Sequence, residues 1–154
     1  MPAFRRIVFA TTRPVRMIRL QPILRTAGIE AAPVVMDPQR WCETPAAQSE
    51  CLVFLDSRSA PSWEKIAAAR RGAVGSRFVL CSRIVTPELV RSAMECGIDG
   101  VLSTGLPEDD AVSALLQICQ GERQFRFEPV KAQPAAMPVA VPADFDMLWM
   151  FGEA

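Results

Sequence analysis

Short apolar runs, each ended by a polar or turn residue, recur along the first 125 residues of the chain. The clearest of them is apolar from Cys51 to Leu55 and ends in Asp56. A short run without polar alternation is typical of a strand buried on both faces, as in a parallel sheet. Further runs predict four more strands, at residues 5–10, 29–35, 77–81 and 100–103.

Stretches with helical spacing of apolar residues separate these predicted strands. The first is predicted to start at Thr12 as its N-cap, to kink at Pro22 and to end at Gly28. A short helix is predicted within residues 37–48, and longer helices at 63–71, 86–97 and 107–121. This alternation predicts an α/β fold with a doubly wound sheet of five parallel strands. Pro33 indicates that the second strand lies at an edge or ends early.

The composition excludes several classes of chemistry. The chain has 17 basic and 17 acidic residues, a balance that argues against direct nucleic-acid or membrane-surface binding. It has no histidine, so catalysis, metal binding or phosphotransfer by a histidine of this chain is excluded. Five cysteines occur singly, without a Cys-x-x-Cys pair, and there is no secretory signal, which together predict a cytoplasmic protein. The apolar stretches are too short to span a bilayer.

The last 25 residues differ from the rest of the chain. Residues 130–143 are rich in Ala, Pro and Val and predict a semi-rigid linker between a domain at 1–129 and a segment at 144–154. That segment is apolar and acidic, and helical spacing would place Phe145, Leu148 and Trp149 on one face, with Phe151 close by. It fits an anchor that binds a groove of another protein, or equally of its own domain.

Several of these stretches, taken in their order along the chain, resemble the receiver domain of response regulators. They are residues 7–10, 52–56, 79–82, 93–103 and 121–125. The resemblance covers about residues 4–128 and is closest to receivers that precede a LuxR-type helix-turn-helix, the NarL/FixJ class. It implies a flavodoxin-like, CheY-like sheet and a role in bacterial two-component signal transduction.

The resemblance also assigns positions to the receiver chemistry. In this family an aspartate after strand three accepts a phosphoryl group, and Asp56 matches it. Ser82 matches the hydroxyl switch after strand four, and Thr104 stands at the position of the lysine after strand five. The acidic pair that holds Mg²⁺ is replaced by Thr11 and Thr12.

These replacements predict a pseudo-receiver. Mg²⁺ is a hard cation held by carboxylates and water, and phosphoryl transfer depends on positioning and charge neutralisation. With the acidic pair and the lysine both replaced, we expect poor or absent phosphorylation and no cofactor. Arg13 and Arg58 are expected to flank the pocket, where either could pair with Asp56. The protein is then expected to act by protein–protein contacts and not as an enzyme.

Several alternatives stay open at this point. A working receiver would phosphorylate Asp56 with Mg²⁺, and the scaffold could instead sense a small ligand or, through its cysteines, redox state. Asp56 could also be a loop cap, with Ser82 and Thr104 as turn residues. The arginines at 16, 19 and 25 are interpreted as a solvated helix face.

The expected partners are other proteins. They are a sensor kinase, another regulator or a transcription factor, so that any role in transcription regulation would be indirect. A homodimer through residues 86–120 is a further expectation from the resemblance.

Overall fold

The computed structural model describes residues 4–30, 32–44 and 49–126. Six strands form one sheet in the order β2-β1-β3-β4-β5-β6, and every neighbouring pair is parallel. The strands are β1 (Arg6–Ala10), β2 (Pro33–Met36), β3 (Cys51–Asp56), β4 (Arg77–Ser82), β5 (Gly100–Ser103) and β6 (Gln124–Arg126). The predicted α/β class and doubly wound sheet are confirmed. The predicted linker at 130–143 and segment at 144–154 lie outside the described residues.

The prediction of five strands was wrong by one, because β6 joins the sheet beside β5. After the last helix, Gly121 turns the chain with a φ of 98°, and Gln124 then pairs with Gly100. A three-residue strand is too short to show a hydrophobic period of its own. The edge position predicted from Pro33 is confirmed, since among the described residues β2 pairs only with β1.

The helices are α1 (Leu20–Thr26), α2 (Pro38–Cys42), α3 (Trp63–Gly72), α4 (Pro87–Glu95) and α5 (Glu108–Cys119), and a 3₁₀ turn (Pro14–Met17) precedes α1. They cover both faces of the sheet. The 3₁₀ turn, α1 and α5 pack on the face that carries Ile7, Phe9 and Phe54. Helices α2, α3 and α4 pack on the opposite face, around Val8 and Val53. Within the described residues, no helix is long and apolar enough to cross a membrane.

The first helical stretch is divided into two parts, which the sequence did not predict. The 3₁₀ turn is preceded by Arg13 without a side-chain cap, so Thr12 is not the N-cap. Pro22 lies in the first turn of α1, where a missing N–H costs no intrahelical bond, so it marks a new start and not a kink. The predicted end at Gly28 is confirmed, since Gly28 has a φ of 82° and the Ile29 N–H donates to the Leu24 carbonyl at 2.9 Å.

Gly100 offers a test of the β5–β6 pairing. A Cβ at this position would overlap Ile118 Cδ1 and lie 2.8 Å from the backbone oxygen of Gln124. We expect Gly100→Ala to lower the free energy of unfolding by about 1–3 kcal/mol, because the backbone of β6 must move. Urea denaturation measures it. Gly72→Ala, at the exposed end of α3, is the matched control and should leave stability unchanged or slightly raised. Equal losses in both variants would contradict the proposed crowding at Gly100.

Candidate functional site

The candidate site lies at the carboxyl edge of the sheet, where β3 ends in Asp56. Parallel strands bring their carboxyl ends to one edge, so the loops after β1, β3, β4 and β5 meet there. Asp56 is buried, with 5% of its surface exposed, and it pairs in register with Cys81 on β4. The Ser57 N–H donates to the Cys81 carbonyl at 3.0 Å and continues the ladder past Asp56.

Both carboxylate oxygens of Asp56 accept hydrogen bonds. Oδ2 accepts from Thr11 Oγ1 at 2.8 Å, from Arg16 Nη1 at 3.0 Å and from Ser59 Oγ at 3.3 Å. Oδ1 accepts from the Arg58 backbone N–H at 3.1 Å. Because a buried carboxylate is costly unless it is paired and hydrogen-bonded, these four donors make the burial of Asp56 tolerable.

The two threonines that follow β1 have different environments. Thr11 is buried, and its Oγ1 accepts from the Arg13 N–H at 2.9 Å, a local turn that holds the hydroxyl beside Asp56. Thr12 is exposed, and its backbone N–H donates to Ser59 Oγ at 3.2 Å. Of the two predicted pocket positions, only the side chain at position 11 therefore contacts the acidic group.

The cation beside Asp56 is Arg16 and not Arg13 or Arg58, the two expected from the sequence. Arg16 forms an ion pair with Asp56, with 26% of its side chain exposed. Arg58 contributes its backbone N–H, while Arg13 contributes its backbone to the turn around Thr11. The sequence missed Arg16 because an α-helical period was assumed for residues that form a 3₁₀ turn. That turn has about three residues per turn and directs side chains differently.

The interpretation of the arginines at 16, 19 and 25 as one solvated face was therefore wrong for Arg16, while Arg19 is exposed as expected. Arg19 Nη1 donates to the Thr104 carbonyl oxygen at 2.8 Å, which ties the start of α1 to the loop after β5. Arg25 is exposed.

Asp56 remains ionised at neutral pH. Burial raises the pKa of Asp56, whereas the hydrogen bonds from Thr11, the Arg58 N–H and Arg16 and the charge of Arg16 lower it. The lowering effects together are larger, so the pKa of Asp56 lies below its usual value. Its stabilising contribution is present above the unfolded-state pKa of about 3.9 and is lost as the pH falls through the folded-state pKa.

The two predicted switch residues serve as local structure at the neighbouring strand ends. Ser82 is buried, and its hydroxyl donates to the Ile84 carbonyl at 2.7 Å. Thr104 is exposed, and its N–H donates to the Ser82 carbonyl at 2.9 Å, which ties β5 to β4. Among the described residues, the hydrogen bonds to Asp56 come from Thr11, Arg16, Arg58 and Ser59, and neither switch position is among them.

Comparison with solved structures decides the fold. The receiver domain of NarL from Mycobacterium tuberculosis superposes with a TM-score of 0.64 over 79% of this chain and 100% of that domain, at 22% identity. A LuxR-family response regulator from Aurantimonas sp. superposes with a TM-score of 0.67 over 85% and 94% of the two chains, at 17% identity. The chain has the fold of a response-regulator receiver domain.

One similar structure is described as something other than a response regulator. A pilus assembly-related protein from Burkholderia pseudomallei superposes with a TM-score of 0.67 over 79% of this chain and 94% of that chain, at 16% identity. No family profile and no curated protein sequence matches the chain.

The receiver fold implies a Mg²⁺ site beside the acceptor, and the residues here do not fit it. The positions of the acidic pair carry Thr11 and Thr12, and the Arg16 guanidinium already neutralises Asp56 at 3.0 Å. The described residues contain no group of three or more His, Cys, Asp or Glu side chains that could hold a metal ion. A hard divalent cation prefers carboxylate and water ligands, so an arginine-paired single carboxylate is a poor site for Mg²⁺.

The rest of this edge offers little for ligand or redox chemistry. A cleft of about 50 Å³ lies between α1 and the end of β5, which is small beside the ~150 Å³ cavity that holds benzene in an engineered protein. Burial raises the pKa of the Cys81 thiol to about 12, with a smaller contribution from the charge of Asp56. At the opposite edge of the sheet, where α5 ends, burial raises the pKa of the Cys119 thiol to about 11. Both thiols are protonated at neutral pH and hence poor nucleophiles.

The pH dependence of stability tests the ionisation of Asp56. Asp56→Asn should lower the free energy of unfolding at pH 7 by about 1–3 kcal/mol, because charge-assisted hydrogen bonds are lost. The difference from wild type should shrink as the pH falls from about 3.9, where the unfolded-state carboxyl gains its proton, through the lower folded-state pKa of Asp56. Chemical denaturation between pH 3 and pH 7 measures it. Asp109→Asn, an exposed acid of α5, is the control. A difference that does not change with pH would contradict the paired carboxylate.

A double-mutant cycle tests which arginine holds Asp56. Asp56→Asn combined with Arg16→Met should give a coupling energy of about 1 kcal/mol, within the range for residues in contact and reduced by the partial exposure of Arg16. The same cycle with Arg13→Met should be additive within about 0.5 kcal/mol. Coupling to Arg13 and none to Arg16 would overturn the assignment.

Proposed function

We propose that this protein is a pseudo-receiver, a signalling protein that acts by binding other proteins and without phosphorylation of Asp56. The observation that carries the proposal is the Arg16–Asp56 ion pair at 3.0 Å, which places a cation of the chain itself on the acceptor position of the receiver fold. The similar structures include receiver domains of response regulators, which supports a signalling role over an enzymatic one.

The electrostatics of the pocket favour this proposal over a working phosphoreceiver. A phosphoryl group arriving at Asp56 brings additional negative charge, and its transfer depends on cations that are already in position. Here the pocket offers one guanidinium, whose Nη1 donates to Asp56 Oδ2. The lysine position carries an exposed threonine whose carbonyl oxygen accepts from Arg19. Attack by Oδ2 would require it to leave three donors, and attack by Oδ1 would require it to leave the Arg58 N–H.

The proposed partners are proteins of the same signalling class. They are a sensor kinase, another regulator or a transcription factor, and the effect on transcription is then indirect. The surface formed by α4, β5 and α5, residues 86–120, is the proposed contact for a partner or a second copy. The apolar segment at 144–154, with Phe145, Leu148, Trp149 and Phe151, is a second proposed contact. We further propose that the protein is cytoplasmic, needs no cofactor and does not bind nucleic acid or membranes directly.

A phosphorylation assay on the full chain tests the proposal. The protein is incubated with a small phosphodonor and Mg²⁺, and its intact mass and melting temperature are measured beside those of Asp56→Asn. We expect no mass gain and no shift of the melting temperature with Mg²⁺, because Arg16 already balances the charge of Asp56. A gain of one phosphoryl group in wild type that is lost in Asp56→Asn would establish the working receiver.

A variant that restores the receiver pattern provides the positive control. Thr11→Asp and Thr12→Asp supply the acidic pair, Thr104→Lys supplies the lysine and Arg16→Ala removes the competing cation. We expect Mg²⁺ to raise the melting temperature of this variant and not that of wild type, because binding to the folded state stabilises it. The same quadruple variant with Asp56→Asn should respond less. If wild type and the restored variant respond equally to Mg²⁺, the ion pair does not exclude the metal.

A further inference from the structure

A groove of about 360 Å³ runs between α1 and the edge strand β2. Its lining includes Leu24 and Arg25 of α1, Ile29 after it, and Pro33 at the start of β2. The groove lies on the α1 side of the sheet. Pro33 and Val35 pair with Ile7 and Phe9 of β1, the residues that α1 covers, and paired residues of a ladder share a face.

Large apolar side chains are exposed on the strand and in the turns that lead into the helix on either side of this groove. Val35 is 48% exposed on β2, and Ile18 and Val15 are 57% and 68% exposed in the turns that lead into α1. Single exposed apolar residues are common on protein surfaces. Several on the elements that border one groove, at an edge of the sheet formed by the described residues, are typical of a surface that another segment covers.

The charged residues that line this groove are Arg25 and Glu30. Residues 12–29 contain four arginines and no acid, but Asp56 neutralises Arg16, and Arg19 lies on the other side of α1, where its Nη1 donates to the Thr104 carbonyl oxygen. Thr26 also lies toward α5, since its Oγ1 donates to Glu108 Oε2 at 3.5 Å. Arg25 is exposed, so an apolar occupant that presents an acid to Arg25 fits the groove.

The chain itself contains a segment with these properties. Residues 144–151 read Asp-Phe-Asp-Met-Leu-Trp-Met-Phe, with two acids, no base and six large apolar side chains. The segment also lies within reach. The sheet from β6 to β2 is about 24 Å wide at ~4.8 Å per strand, and residues 127–143 span up to about 50 Å if extended as a Pro-rich linker.

We propose that residues 144–151 bind in the groove between α1 and β2 of the same molecule, with an acid toward Arg25. In this contact the apolar side chains of residues 144–151 pack against the apolar residues of the groove, and charge sets the orientation of the segment. It goes beyond the proposed function, because it does not depend on whether Asp56 is phosphorylated. A partner that presents a similar acidic, aromatic segment would compete for the same groove.

Hydrogen exchange of the full chain, read by mass spectrometry, tests the contact. We expect the amides of residues 144–151 to exchange about tenfold more slowly than the same sequence as a free peptide, since bound backbone is shielded from solvent. Ile18→Asp should remove this protection by placing a charge among the apolar side chains beside the groove. Val74→Asp is the matched control, because Val74 is 73% exposed and lies outside the groove, between α3 and β4.

Each remaining outcome overturns part or all of the proposal. Exchange of 144–151 at the free-peptide rate in wild type means that the segment does not bind. Protection that survives Ile18→Asp, or that Val74→Asp removes equally, places the segment elsewhere. Protection that rises with protein concentration, together with a dimer in sedimentation velocity, means that the groove is filled by a second copy and overturns binding within one molecule. None of these results changes the phosphorylation assay.

Discussion

A buried negative charge at the carboxyl edge of a parallel sheet must be balanced, and the structure around Asp56 follows from how this chain balances it. The charge is held by Arg16 and by three hydrogen-bond donors from Thr11, Ser59 and the Arg58 backbone. These donors come from the segment after β1 and the segment after β3. One carboxylate therefore fixes the two loops against each other.

Asp99, the other buried acid of the described residues, is also balanced by an arginine and a backbone N–H. Asp99 is 8% exposed, its Oδ2 accepts from the Phe78 N–H at 2.8 Å, and its Oδ1 lies 3.6 Å from Arg70 Nη2. Arg70 also lies over the Phe78 ring. A buried carboxylate in this chain is thus paired with a single arginine and a backbone N–H in two places. The shared pattern supports Asp56 as an acid held by structure, and only its position at the strand ends relates it to receiver chemistry.

The sequence predicted the sheet well and the site only in part, for physical reasons. Fully apolar strands such as β3 have a clear signal, and Gly28 and Thr86 end or begin helices through local hydrogen bonds that sequence spacing reveals. Asp56 was found because it follows such a strand. Arg16 was missed because the direction of its side chain depends on a 3₁₀ turn. Strand β6 was missed because it is defined by its pairing with β5 and not by a pattern of its own. Both depend on contacts between distant parts of the chain, which a local pattern does not contain.

If the protein is the proposed pseudo-receiver, the Arg16–Asp56 pair also determines what kind of information it carries. A counter-ion encoded in the chain is present at a fixed stoichiometry in every molecule, from the moment of folding. If the pocket has no chemical input, its state does not report the level of a phosphodonor or of a free cation. Two quantities can then still vary, the number of copies in the cell and the fraction bound to partners. The signal is then the abundance of the protein, which synthesis and turnover set.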